Sequence, residues 1–122
     1  MTDKQNFGEF IAAKRMNQGI SLRKMAEQLD ITAAYLSDLE KNRRQPPEKP
    51  LLDKMANALF LTDTERVNLY DMAGNLRGEV SPDLPKYIME NDVVRVALRK
   101  AKDKNINEEA WLQFIQKIED QT

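Results

Sequence analysis

The sequence contains neither cysteine nor histidine. Without cysteine no disulfide and no thiolate metal site can form, and without histidine the commonest general base and the commonest zinc ligand are both missing. Carboxylate or lysine chemistry is left, but no set of residues points to it, so neither an enzyme, a cofactor nor a metal centre is expected. Glycine is scarce, with four residues in 122, and no apolar run approaches membrane-spanning length. The opening stretch MTDKQNFGEF carries two acidic groups and lacks the basic-then-apolar order of a secretory signal. A cytoplasmic protein with no membrane partner is the expectation.

What is abundant is charge. Charged residues make up 32% of the chain and the hydrophobic set 41%, a balance that suits a helical globular protein better than a disordered or fibrous one. A chain of 122 residues has room for one compact domain, or for a small domain with an extension, and would bury about two-thirds of its unfolded surface. The net charge of −1 argues by itself against a nucleic-acid partner, but the average conceals a local excess. Residues 1–74 hold 11 Lys+Arg against 11 Asp+Glu, whereas Lys41, Arg43, Arg44 and Lys49 face Glu48 alone. Such a cluster is usually a solvated loop. Its position in the chain decides whether it is more.

Phe7, Phe10, Ile11, Ala12 and Met16 recur at helical spacing and stop at Gly19, a C-terminal cap for a first helix. Ser21 offers its hydroxyl to cap a second helix, in which Leu22, Met25, Ala26 and Leu29 share one face. Asp30 and Ile31 form a turn, and Thr32 caps a third helix that points Leu36 and Leu39 inward. Helices this short are unstable alone, so a shared core must hold them at an angle.

The third helix turns Ala33, Ala34, Tyr35, Ser37, Asp38 and Lys41 away from those leucines. Two alanines at the start of an exposed face let a helix approach another surface closely, and a major groove about 12 Å wide admits a helix by its N-terminal turn. Helix N-termini also favour phosphate, a role that fits Ser21 followed by Arg23 and Lys24. The cations from Lys41 to Arg44 then lie where they can reach flanking backbone. The plain alternative is a small helical core with an ordinary polar surface.

The motifs AAKRMNQGISLRKMAEQL, ITAAYLSDLEKNRRQP and LLDKMANAL together resemble the helix-turn-helix domain of the XRE type, shared with lambdoid phage repressors and Cro proteins, from Phe7 to Gly74. The resemblance implies an all-α, five-helix repressor-like domain over residues 1–74. It implies a structural ion pair between Arg15 and Glu40, a direct DNA contact by Arg15 being the alternative. It also implies that Thr32, Ala33, Ala34, Ser37 and Asp38 read bases, with Tyr35 near the backbone and Lys41, Asn42, Arg43 and Arg44 on phosphates. Where some phage members carry amides for bidentate contacts to adenine, this chain has Ala33 and Ala34, which offer only apolar contact with a thymine methyl. Asp38 could accept from cytosine.

Pro46, Pro47 and Pro50 dictate an extended connection, with Pro50 suited to the first turn of a fourth helix. Leu51, Leu52, Met55, Ala56 and Leu59 supply its buried face. Thr62 to Glu65 reads as a capping box for a fifth helix that carries Val67, Leu69, Tyr70 and Met72 and is capped at Gly74.

Residues 75–122 read as a small helical extension. Ser81 and Pro82 suggest a helix start, with Leu84, Tyr87 and Ile88 inward and an end near Asn91. Val93, Val94, Val96, Ala97, Leu98 and Ala101 mark a seventh helix. Asn105 or Asn107 caps a last one bearing Trp111, Leu112, Phe114, Ile115 and Ile118. The extension is too small for a large core of its own. Val93, Val96, Trp111, Phe114 and Ile118 are therefore interface candidates, Trp111 alternatively filling a small core within the extension. The function expected is a sequence-specific DNA-binding regulator, a repressor that occupies a promoter as a homodimer on double-stranded DNA. An antitoxin that binds its toxin and its own promoter, and an interaction module without DNA binding, are the alternatives.

Overall fold

Asn6 opens the first helix by exchanging hydrogen bonds with Glu9: its side chain accepts from the Glu9 amide at 2.9 Å while Glu9 accepts from the Asn6 amide at 3.3 Å. This capping box satisfies two of the donors that every helix start leaves free. In the computed structural model of the chain, which describes residues 6–121, all regular structure among the described residues is helical. The elements are α1 (Phe7–Asn17), α2 (Leu22–Leu29), α3 (Ala33–Glu40), α4 (Lys49–Ala58), α5 (Asp63–Arg77), α6 (Pro85–Glu90), α7 (Asp92–Asp103) and α8 (Glu108–Glu119).

Side-chain caps explain why the short helices begin where they do. Ser21 accepts from the Lys24 amide and Thr32 from the Tyr35 amide, both at 3.0 Å. Thr62 and Glu65 form the capping box of α5. Between α2 and α3 the turn is made by Asp30 in the left-handed region, φ 59°, a conformation that Asp tolerates better than most residues. The Ile31 amide closes back on the Ala26 carbonyl at 3.0 Å.

The chain divides into two compact units, Met1–Pro85 and Lys86–Thr122. In the first, α1 packs on α3 and α5, α2 on α3 and α4, and α4 on α5. Their shared core buries Phe7, Ile11, Met25, Leu29, Leu36, Leu39, Leu52, Met55, Leu59 and Leu69 almost completely. Each side chain of this size contributes about 1.5–3 kcal/mol on burial, and the whole holds α2 and α3 against one another. Met16 and Val67, though in register with the apolar pattern, are exposed.

Three boundaries differ from those read in the sequence. Gly74 does not end α5, which runs on to Arg77 and is capped by Gly78 at φ +72°. Gly74 is instead buried within the helix, where a Cβ would lie 2.9 Å from the Glu79 carbonyl oxygen and 3.0 Å from Ser81. Its lack of a side chain lets the chain fold back, with the Glu79 amide on the Gly74 carbonyl at 2.9 Å. The division between units accordingly falls after Pro85 rather than after Gly74. Finally, α6 starts at Pro85 and not at Ser81, because the Ser81 hydroxyl donates to Asp71 and the Leu84 amide turns back on the Ser81 carbonyl at 3.1 Å.

In the second unit Arg95 donates to the carbonyls of Ile88 and Met89 at 2.9 and 2.6 Å, tying α7 to the end of α6. Of the two asparagines before α8, Asn105 takes the left-handed turn at φ 54°, and Asn107 is the cap, accepting from the Ala110 amide at 2.9 Å. Among the described residues none of α6, α7 or α8 is buried. Trp111 meets Phe114 edge-on at 6.2 Å and is 37% exposed.

Candidate nucleic-acid interface

The outer face of α3 begins at its cap. Thr32 is exposed, its hydroxyl engaged by the Tyr35 amide, and Ala34, the second residue of the helix, is exposed with no bulk beyond its methyl. Ser37 and Asp38 are half-buried beside it, and Lys41 is exposed at the end. Ala33 differs from the sequence reading: it is half-buried and packs against the hydrophobic core, so its methyl serves that core more than the outer face.

Exposed cations precede and follow this face along the chain. Ser21, Arg23 and Lys24 are exposed around the start of α2, where the helix dipole and free amides favour an anion. Beyond α3, the Arg43 amide donates to the Asp38 carbonyl at 2.8 Å, which fixes the first residue of the loop, while the Arg43 guanidinium is 4.0 Å from the Asp38 carboxylate and two-thirds exposed. An ion pair so long and so exposed is worth little and is readily exchanged for a phosphate. Arg44 lies over the half-buried Tyr35 ring, 4.9 Å from its centre, a stack that restrains the side chain and leaves its edges free to donate.

Asn42 is placed differently from the phosphate role read for it. At φ 59° it carries its side chain back to the start of α1: Oδ1 accepts from the Gly8 amide at 3.0 Å and Nδ2 donates to Asn6 at 2.8 Å. Gly8 makes this contact possible, since a Cβ there would fall 2.6 Å from the Leu39 carbonyl oxygen. Asn42 thus joins the end of α3 to the N-terminal cap of α1.

Arg15 and Glu40 set the other end of that joint. Nε and one terminal nitrogen of Arg15 donate to the two Glu40 oxygens at 2.7 and 2.9 Å, and the remaining nitrogen donates to the Ile20 carbonyl at 2.9 Å. Both side chains are largely buried, and the hydrogen bond to Glu40 raises the Arg15 pKa although burial opposes it. With its donors committed inside the domain, Arg15 holds α1, the turn before α2 and α3 in register.

The sequence reading missed three polar groups that carry the rest of the frame. Asp53 accepts from Tyr70 and from Lys49, the latter at 2.9 Å, with Arg66 3.8 Å away. Burial pushes the Asp53 carboxyl up, but the hydrogen bonds from Tyr70 and Lys49 outweigh it and the pKa falls below its ordinary value. Lys14 pairs with Glu65, linking α1 to the capping box of α5, and this bond holds the Glu65 pKa low. Arg77 is the third group: it donates to the Pro46 carbonyl at 2.8 Å and to Glu79 at 3.1 Å, and pairs with Glu48 at 2.7 Å. Asp53 stands at i+4 from Lys49, a spacing that suggests the pair, whereas nothing local to Arg77 signals Pro46 and Glu48.

Residues 11–65 match the family described as helix-turn-helix. No curated protein matches the chain. Among solved structures, the chain is similar to the master regulator for biofilm formation SinR in complex with DNA, 28% identical over 49% of this chain and 95% of that one, with a TM-score of 0.45. It is similar to the clp gene regulator ClgR from C. glutamicum, 27% identical over 52% of this chain and 80% of that one, at a TM-score of 0.46. A SinR protein/SinI protein complex is 20% identical over 93% of this chain and 94% of that one, at a TM-score of 0.47. The segment that matches the helix-turn-helix family, 11 to 65, has the capped pair α2 and α3 at its centre.

Proposed function

We propose that the chain is a sequence-specific DNA-binding transcriptional regulator, a repressor that occupies its promoter as a homodimer. The observation that carries this reading is the exposed Ala34 on α3, preceded along the chain by exposed Arg23 and Lys24 and followed by exposed Arg43 and Arg44. In this mechanism no bond is made or broken. Phosphate contacts set the register, and Thr32, Ala34, Ser37 and Asp38 select sequence from the groove. Asp38 is the one acidic member, and its carboxylate suits a cytosine amino group better than any purine edge.

The test uses duplexes selected from a random pool on the full chain. Replacing Arg43 and Arg44 by alanine weakens binding to every sequence and lowers the slope of log K against log salt by about one to two, since each lost phosphate contact releases about 0.9 fewer counterions. An unchanged slope means those arginines are solvent-facing only. Failure of the wild type to enrich any duplex returns the domain to a protein-interaction role.

A second reading rests on the unburied apolar residues of α7 and α8. They supply a surface for another protein, and an antitoxin is the case in which that protein is a toxin whose operon the same chain represses. Copurification of a second protein with the full chain from its native cells separates this reading from the homodimer.

A further inference from the structure

The loop that carries Arg43 and Arg44 is poor in its own hydrogen bonds. Pro46 and Pro47 have no amide proton to give, and both are buried, which leaves their carbonyls in need of donors from elsewhere. The Pro46 carbonyl finds its donor 31 residues away, in the last turn of α5: Arg77 reaches it at 2.8 Å. The same guanidinium holds Glu48, the cap residue of α4, at 2.7 Å, and it is itself held by Glu79 at 3.1 Å. Glu48 makes no side-chain capping bond to α4, so the pairing with Arg77 is what restrains it.

These contacts surround an open groove of about 700 Å³, lined by Tyr35, Arg44, Pro46, Pro47, Leu51 and Arg77. Arg44 sits on Tyr35 at one wall and Arg77 on Pro46 at the other. The loop is therefore pinned at both ends, by the Arg43 amide on the Asp38 carbonyl and by the Pro46 carbonyl on Arg77. The two exposed guanidiniums lie between the pins.

We infer that Arg77 is a positioning residue for DNA binding: it fixes the Arg43–Arg44 loop at the spacing at which both cations meet phosphate, without touching DNA itself. This rests on the proposed DNA-binding function. All three nitrogens of the Arg77 guanidinium are committed within the protein, so it has little left to offer a phosphate directly. A loop released at Pro46 would keep its charge and lose its geometry. Ordering two long side chains and a backbone segment on binding then costs affinity that the pinned loop has already spent on folding.

The test is a double-mutant cycle in the full chain, Arg77→Ala against Arg43→Ala with Arg44→Ala, with affinity for a selected duplex measured across salt concentrations well below the unfolding temperature. Arg77→Ala is expected to weaken binding by about tenfold alone and by almost nothing in the background that lacks Arg43 and Arg44. Arg77→Lys is expected to resemble Arg77→Ala, because an ammonium keeps the charge but cannot span Pro46, Glu48 and Glu79 at once. Hydrogen exchange of the Arg43 amide should accelerate in both variants. Additive losses, or full rescue by lysine, would overturn the inference in favour of a direct or purely electrostatic role. So would an Arg43 amide that exchanges at the wild-type rate. If the wild type binds no duplex while Arg77→Ala still speeds that exchange, the pin is real and the DNA-binding reading has failed.

Discussion

Arg15 meets Glu40 through two parallel hydrogen bonds, of 2.7 and 2.9 Å, and does so with both side chains largely out of water. A fork-on-fork pair of this kind fixes direction as well as distance. Removing one partner leaves the other charge buried without compensation, which costs more than the pair contributes. Arg15→Ala should lower the unfolding free energy by about 2–4 kcal/mol, and Arg15→Lys should recover only part of it. Denaturant unfolding measures both. A near-neutral Arg15→Ala that nevertheless loses DNA binding would reassign Arg15 to the interface.

Gly8 and Gly19 make opposite demands. Alanine at Gly19 meets nothing within 4 Å and suffers only the left-handed backbone, φ +68°, about 1 kcal/mol. Alanine at Gly8 has ordinary helical backbone, where it would gain up to about 1 kcal/mol of propensity, but its Cβ lies 2.6 Å from the Leu39 carbonyl and 2.8 Å from Asn42 Oδ1. The backbone cannot yield cheaply there. Gly8→Ala should therefore be the more destabilising, by about 2 kcal/mol or more, and should free the Asn42 amide. Equal losses at the two sites would show that α1 can slide on the end of α3.

What the sequence revealed and what it hid differ in how far apart the partners lie. Ser21, Thr32 and the pair Thr62–Glu65 cap helices through bonds three residues long, and the periodic leucines of α2, α3 and α4 mark their own inner faces, so all of these were legible. Arg15 and Glu40 stand 25 residues apart and became legible only through the likeness to a family. A glycine says that a side chain is unwelcome without saying why, and so Gly74, needed for the close return of Glu79 and Ser81, was mistaken for a cap. Asn42 looked like one more polar member of a basic run, but its left-handed backbone turns it onto Gly8. Beyond its neighbour Glu79, Arg77 gives no signal of Pro46 and Glu48, because those partners are chosen by where α5 ends.

The polar cluster around Asp53 should appear in the acid limb of stability. Its pKa lies below the ordinary 3.8, so the folded state favours the carboxylate. That contribution is fully present above the unfolded pKa and is lost as pH falls through the lower folded value. Asp53→Asn should accordingly be less stable than the wild type at neutral pH, with the gap narrowing as pH drops below about 3.8. Chemical denaturation from pH 7 to pH 2 reads the gap. A gap that stays constant through the acid range would mean that the carboxylate gains nothing from Tyr70 and Lys49.

Ala34 tests the reading face without disturbing the frame. It is exposed, in the first turn of α3, and it packs on nothing in the core. Ala34→Glu should leave the thermal midpoint nearly unchanged while abolishing binding to selected duplexes, because a carboxylate would enter a strongly negative groove. Retained binding would place sequence reading on another element.

The last prediction concerns α7 and α8, where Val93, Val96, Phe114 and Ile118 are all about half exposed or more and none has a buried neighbour on its own helix. Helices of 12 residues with no buried face are marginal in water, so something has to cover them for the fold to pay its way. A second copy is the occupant we favour, since a helix-turn-helix domain gains useful affinity by placing two recognition helices about one DNA turn apart, and a symmetric apolar patch satisfies both needs at once. In such a dimer the Trp111–Phe114 pair would be the aromatic anchor, of the kind that interfaces concentrate near their centre. Phe114→Asp in the full chain should then convert a dimer at micromolar concentration into a monomer in sedimentation, and should weaken binding to a duplex with two half-sites far more than to one with a single half-site. A wild type that sediments as a monomer, with two-site affinity untouched by Phe114→Asp, would sink the dimer and leave this face to a different protein.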